Sequence, residues 1–205
     1  DEFSNEYVPE HNNRLKYITG FSGSAGFAII NKEKAAFFTD GRYSIQARQE
    51  VDDNIFEIHD ITQIHPFKWI QNELDKGSKI GYDPKIFTAA TVENYIEKAQ
   101  GEYFLIETEN FVDEIWQERP EFKPSNAFLL EEKYSGKSAD EKIKEVTQRF
   151  EGEYLLIAEP LSICWLLNIR GKDLPHTPVL FCYAIVTKKG EVYLYSYRNA
   201  IGDEL

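Results

Sequence analysis

The four histidines, His11, His59, His65 and His176, are the first residues to test for metal or proton-transfer chemistry. They stand singly, with no His-x-x-x-His pair and no carboxylate at ligand spacing. Asp40, Asp52, Asp53 and Asp83 could in principle surround a divalent ion, as in RNase H-like nucleases, yet each has a local role. Asp40 fits a helix cap, Asp52-Asp53 a helix-end turn, and Asp83 the extended residue ahead of Pro84. No metal site is therefore expected within the chain. Ser22 and Ser24 lie in GFSGSAG (20–26), where a nucleophile elbow would need Gly-x-Ser-x-Gly, a frame that neither serine occupies. The same run is not Gly-x-Gly-x-x-Gly, and it precedes a strand instead of joining a strand to a helix, which excludes a dinucleotide loop.

Cys164 and Cys182 also lack ligand spacing. Both lie in apolar runs, so buried free thiols in a reducing compartment are expected rather than a disulfide, without electropositive surroundings to activate either one. Arg42 follows Asp40-Gly41 and is expected to hold that turn by a salt bridge or carbonyl contacts. Arg14 precedes the Tyr17 to Phe21 turn, and a structural ion pair is the simplest use for it. Arg119, among the prolines at 117–125, has no readable role.

The elements that must position these groups begin with the stretch from Arg14 to Arg48. Gly20, Gly23 and Gly26 mark a turn in which at least one glycine is expected to take positive φ or allow close backbone approach. Ala25 to Ile30 and Ala35 to Thr39 read as strands joined by a hairpin at Asn31 to Lys34, and Asp40 as the N-cap of a helix through Tyr43, Ile45, Ala47 and Val51. Ile55 to Ile61 reads as a strand. His65-Pro66 introduces a helix carrying Phe67, Ile70 and Leu74, with Gly77 as its C′ residue. A strand at Lys79 to Tyr82, a helix at Thr88 to Ala99 and a strand at Tyr103 to Glu107 complete an α/β alternation.

Gln117 to Ser125, with Pro120 and Pro124, breaks this pattern and predicts a boundary between a domain at 1–121 and a second at 122–205. The second segment restarts with a Ser138/Glu141 capping box, a buried strand at Tyr154 to Ala158, a helix from Pro160 through Cys164, Trp165 and Leu166, and a strand signal at Gly190 to Tyr197. Ile18-Thr19-Gly20 and Phe27 to Ile30 have an echo in Ile169-Arg170-Gly171 and Tyr183 to Val186, a pattern consistent with either duplication or coincidence.

The 205 residues are 42% hydrophobic and 14% aromatic, enough for one or two cores. The net charge of −12 argues against a nucleic-acid partner, which would need clustered Lys and Arg. No run approaches the roughly 18 apolar residues of a membrane span. The chain contains no methionine and starts at Asp1, which suggests that its natural N-terminus is missing.

Beyond these physical features, the wording of the chain resembles the Xaa-Pro aminopeptidases, the aminopeptidase P branch of the creatinase and prolidase superfamily, in their longer three-domain form. The resemblance rests on DEF with EYVPE (1–10), RLKYITGFSGSAG (14–26), FFTDGRYSIQA (37–47), IGYDP (80–84), NFVDEIWQERP (110–120) and ICWLLNIRGKDLPHTPVLFCYAIV (163–186). It implies two related creatinase N-terminal-like domains, each a mixed β-sheet flanked by helices, the first lacking its opening elements and the second truncated. It further implies that the C-terminal metallopeptidase domain lies beyond residue 205, so that this part is catalytically silent and carries no catalytic residue. The intact enzyme would be cytoplasmic and would remove a residue preceding proline from a peptide substrate, using two divalent ions, typically Mn2+, held by that C-terminal domain. The resemblance assigns this part the shaping of the cleft, allows homodimer contacts, and raises a second reading for Arg14, as a substrate-contacting residue. A non-enzymatic relative, using the same scaffold as a binding module, is the alternative function.

Overall fold

The computed structural model describes residues 2–3, 5–198 and 200–202. The chain divides into two compact units: Glu2 with His11–Pro120, and Phe3–Glu10 with the chain from Glu121 onward.

The first unit opens with helix α1 (Arg14–Thr19), where the sequence pattern had suggested only a turn. The helix ends at Gly20, whose φ of 77° is left-handed and whose N–H bonds the Lys16 carbonyl at 2.8 Å. Glycine meets that demand without a Cβ clash. Gly23 and Gly26 serve space instead: a Cβ on Gly23 would stand 2.3 Å from Phe21 Cζ, and one on Gly26 2.8 Å from Leu15 Cδ2. Strand β1 (Phe27–Ile30) pairs antiparallel with β2 (Ala35–Thr39), Phe27 opposite Phe38. The expected hairpin joins them, with the Asn31 side chain accepting the Glu33 and Lys34 N–H groups.

Asp40 caps, but what it caps is a 3-10 turn, Gly41–Tyr43, that leads into α2 (Ser44–Glu50). Val51, expected inside that helix, is its extended C-terminal cap residue. Helix α2 provides the crossover that a parallel pair needs, and β3 (Phe56–Asp60) lies parallel to β2. All five residues of β2 are buried. Ala36 and Phe38 feed one core with Phe67, Trp69, Ile70, Ala99 and Tyr103, while Ala35 and Phe37 feed another with Phe21, Ala47, Val51 and Phe56. A strand covered on both faces reads as a continuous apolar run, as this one does.

A second crossover follows. After α3 (Pro66–Glu73), strands β4 (Lys79–Tyr82) and β5 (Phe104–Glu107) pair in parallel across α4 (Ala89–Ala99), and α5 (Phe111–Ile115) closes the unit. Thr88 and Asn110 cap the last two helices through their side chains. Gly77 is not the C′ residue of α3, which ends on an extended Leu74; its φ of 89° belongs to a separate turn in which its N–H bonds the Glu102 carbonyl.

The second unit contains β6 (Phe128–Leu129), α6 (Glu132–Ser135), α7 (Ala139–Arg149), β7 (Tyr154–Ile157), α8 (Pro160–Leu167), β8 (Ile169–Arg170), β9 (Cys182–Thr187) and β10 (Val192–Ser196). The capping box of α7 is present in both directions. Its sheet has the order β10-β9-β7, and β6 pairs with β8, both arrangements antiparallel, whereas the three-stranded sheet of the first unit is mixed. Both units are thus α/β, with small sheets flanked by helices. Strand β7 is not the buried strand its apolar run suggested. It is an edge strand, and Tyr154 and Leu156, on one face of it, are 67% and 68% exposed. The core gathers instead on Ile163, Cys164, Val179, Leu180, Phe181, Cys182 and Ala184.

Candidate functional site

Arg14, the first residue of α1, is only 9% exposed. Its guanidinium forks onto one carboxylate, Nε to Asp113 Oδ1 at 2.6 Å and Nη2 to Asp113 Oδ2 at 2.9 Å, and Nη2 also reaches Glu2 Oε1 at 2.9 Å. Burial works against the charge on Arg14, but the hydrogen bonds and charges of Asp113 and Glu2 outweigh it and raise the pKa. The Arg14 hydrogen bond holds the Asp113 carboxyl below its ordinary value. Arg119 joins the same cluster, bonding Asp113 Oδ2 at 3.0 Å through Nη1 and the His11 carbonyl at 2.8 Å through Nε. A bidentate pair of this kind fixes orientation as well as charge. It ties the start of α1 to α5 and to the residues just before Pro120.

Beside this cluster Tyr17 stacks on Trp116, ring centroids 4.6 Å apart, and its hydroxyl donates to the Ile115 carbonyl. Sequence reasoning singled out Arg14 but missed Asp113 and could assign nothing to Arg119. The partners lie about a hundred positions away in the chain, and no local pattern announces such a pairing. Arg42 does what its turn predicted, forking onto Asp40 at 2.9 and 2.8 Å.

Two of the other aspartates have hydrogen-bond donors of their own. Asp52 accepts from Asn54, and Asp83 accepts from the Lys85 N–H and from Asn110 Nδ2. Ser22 bonds Glu50, and Ser24 bonds the Tyr43 hydroxyl. His65 accepts the Phe67 N–H through Nδ1. Among the described residues no three His, Cys, Asp or Glu side chains come together as a metal site would require.

Cys164 and Cys182 are free and buried, as expected, but their surroundings differ from the sequence reading. Arg170 donates through Nη1 to the Cys164 carbonyl at 2.7 Å, bringing a positive charge beside a thiol for which none was anticipated.

Comparison with known proteins adds to this geometry. The Creatinase/Prolidase N-terminal domain family model matches residues 7–115, and a second model with the same description matches residues 118–205. The chain belongs to the creatinase/prolidase N-terminal domain family. A probable Xaa-Pro aminopeptidase P of Sordaria macrospora is 36% identical over 214 residues, covering 100% of this chain and 35% of that protein. One of Pyrenophora teres is 37% identical, covering 100% of this chain and 32% of its own. Among solved structures, the X-prolyl aminopeptidase of Caenorhabditis elegans, described as a cytosolic enzyme with a di-nuclear active site, is similar over 100% of this chain and 34% of its own. The TM-score is 0.94 and the identity 26%. The chain thus spans about a third of the length of the curated relatives it matches. A di-nuclear centre does not fit the described residues of this creatinase/prolidase N-terminal part, among which no three metal-ligating side chains come together, and no step of peptide hydrolysis is routed through them.

Proposed function

We propose that the chain is the non-catalytic N-terminal part of a metal-dependent Xaa-Pro aminopeptidase, an enzyme that removes an N-terminal residue preceding proline. The observation that carries this reading is the similarity of the entire chain to about a third of such an enzyme, at TM-score 0.94 for the one from C. elegans, beside two matches to models of an N-terminal domain. Two divalent ions, manganese in the family pattern, would be held outside this chain and would activate a water for attack on the scissile carbonyl. The chain's own work would be to shape the cleft, restrict it to short peptides and support homodimer contacts, in an enzyme acting in the cytoplasm. No helix among the described residues is long and apolar enough to cross a membrane.

The test is hydrolysis by the full-length protein with added manganese. Release of the first residue from a peptide with proline second, but not from its counterpart with alanine second, is the expected result. Absence of cleavage together with tight binding of such peptides would favour the alternative, a binding module on the same scaffold.

Arg14 carries a second reading, contact with the peptide. The cluster with Asp113 and Glu2 supports a positioning role, since Nε and Nη2 are both engaged. A substrate role would appear in Arg14→Lys as a raised KM without loss of melting temperature, and a positioning role as the reverse. The boundary between residues 121 and 122 is likewise our reading, supported by family matches that stop at 115 and resume at 118. Limited proteolysis of the full-length protein should nick first within 118–125 if it is right.

A further inference from the structure

Cys164 and Cys182 have no part in the function proposed above. They arrive at one point by different routes, Cys164 from the middle of α8 and Cys182 as the first residue of β9, and they are 2% and 1% exposed. Their sulfurs share one peptide unit. Cys182 Sγ donates to the Leu180 carbonyl at 3.3 Å, Cys164 Sγ lies 3.9 Å from the same oxygen, and the Leu180 N–H donates to Cys164 Sγ at 3.4 Å.

The pair is electrostatically unequal. Cys164 is held below the ordinary thiol range because its interaction with Cys182, the Leu180 N–H and the Arg170 charge all favour its thiolate, against burial and Asp173. Cys182 is pushed up by its interaction with Cys164, by burial and by the charges of Cys164 and Asp173. The hydrogen bonds divide the pair in the same sense: Cys164 Sγ accepts the Leu180 N–H, which favours a thiolate, while Cys182 donates its proton to the Leu180 carbonyl, which favours the thiol, the division between an attacking and a resolving cysteine.

We propose that Cys164 and Cys182 form a peroxide-sensitive dithiol, a modification site at which oxidation ties α8 to the start of β9. In the first step the Cys164 thiolate attacks one oxygen of hydrogen peroxide. The O–O bond breaks, Cys164 becomes a sulfenic acid, and the hydroxide released takes up a proton as water. In the second step Cys182 gives up its proton and its sulfur attacks Cys164. The S–S bond forms as the S–O bond breaks, and the leaving hydroxide departs with that proton as a second water. Two thiols lose two electrons and two protons, and one peroxide is reduced to two waters. Because both sulfurs stand on the Leu180 peptide unit, the resolving thiol is at hand and oxidation stops at the disulfide.

The test uses the full-length protein, treated with hydrogen peroxide, quenched, unfolded in iodoacetamide and digested with trypsin. Cleavage at Arg149, Arg170, Lys172 and Lys188 separates the two cysteines into peptides 150–170 and 173–188. The expected product is these two joined, lighter by two hydrogen atoms than their sum and parted again by dithiothreitol. Recovery of both as singly alkylated peptides, or of either cysteine as a sulfinic acid without the joined product, overturns the proposal. The assignment of roles has its own measurement: dimedone should label Cys164 in Cys182→Ser more than it labels Cys182 in Cys164→Ser, and the reverse order overturns it. Peptide mapping of the unsubstituted protein decides the pairing even if a serine variant fails to fold.

Discussion

After α1 and after α8 the chain makes the same move with different residues. In each unit a short helix ends on a left-handed residue and a buried hydrophobic residue follows at once. In the first unit the pair is Gly20, at φ 77°, and Phe21, 1% exposed. In the second it is Asn168, at φ 55°, and Ile169, 5% exposed. The sequence echo aligned Gly20 with Gly171, but the structure places the left-handed residue of the second unit three positions earlier. Gly171 does not take positive φ and is needed for room, since a Cβ there would stand 2.7 Å from the Val179 carbonyl oxygen and 2.8 Å from Leu180 Cα. One glycine answers a conformational demand and the other a packing demand. Asparagine can take the first role because its side chain is engaged: Asn168 Oδ1 accepts from Lys142 Nζ at 2.6 Å, and its Nδ2 donates to the Lys137 carbonyl at 2.9 Å.

Gly20→Ala should cost the most. It meets left-handed strain of about 1–2 kcal/mol, and its Cβ would lie 2.9 Å from the Glu50 carbonyl oxygen. A loss of about 2–4 kcal/mol in urea unfolding of the first unit is expected from strain and overpacking together. A loss under about 1 kcal/mol would show that the helix end relaxes and that the two caps are not equivalent.

Lys142→Met comes next. The buried ammonium bonds Asn168 Oδ1 and the Trp165 carbonyl, so its removal orphans two acceptors at the end of α8. About 2–3 kcal/mol is expected, read as lost amide-exchange protection across α8. An unchanged exchange pattern would mean that Asn168 holds its conformation unaided. For Gly171→Ala, overlap with backbone that cannot rotate away predicts about 1–3 kcal/mol without any strain in φ. Exchanging the two roles sharpens the comparison further. Asn168→Gly keeps the left-handed freedom but leaves the buried Lys142 ammonium one acceptor short, so it should cost about 1–3 kcal/mol, less than Asn168→Ala, which adds strain in φ.

The smallest effect concerns how α1 is held at its other end. Asp113 is depressed below its ordinary 3.8 by the Arg14 hydrogen bond, so its contribution to stability is complete above that value. It is lost as pH falls through the lower folded-state value. Asp113→Asn should flatten the acid limb of a melting-temperature profile of the first unit below pH 3.8, and an unaltered limb would assign the acid sensitivity to other carboxylates.

The short-range features of both units were legible beforehand. The Ser138/Glu141 capping box, Pro66 and Pro160 in first turns, the Asn31 hairpin and Asp40 as a cap are all settled within three or four residues of chain, where turn and cap chemistry acts. Helix α1 escaped notice because six residues with no side-chain cap carry little periodicity, and its hold on the fold comes from Asp113, far along the chain. Strand β7 misled for a related reason: an apolar run cannot say whether it will be covered, and Tyr154 and Leu156 are exposed because β7 is an edge.

By itself the sequence determined the alternation of strands and helices, the glycine turn and the creatinase-like wording. Tertiary structure alone decided which charges meet and which glycine does what. Only folding brings Asp113 under Arg14, sets Arg170 and Cys182 beside Cys164, and separates a glycine needed for its φ from one needed for its missing Cβ. The physical reason is distance along the chain: caps and turns are closed by neighbours, whereas ion pairs, thiol contacts and steric room are set by residues that meet only once the sheets have formed.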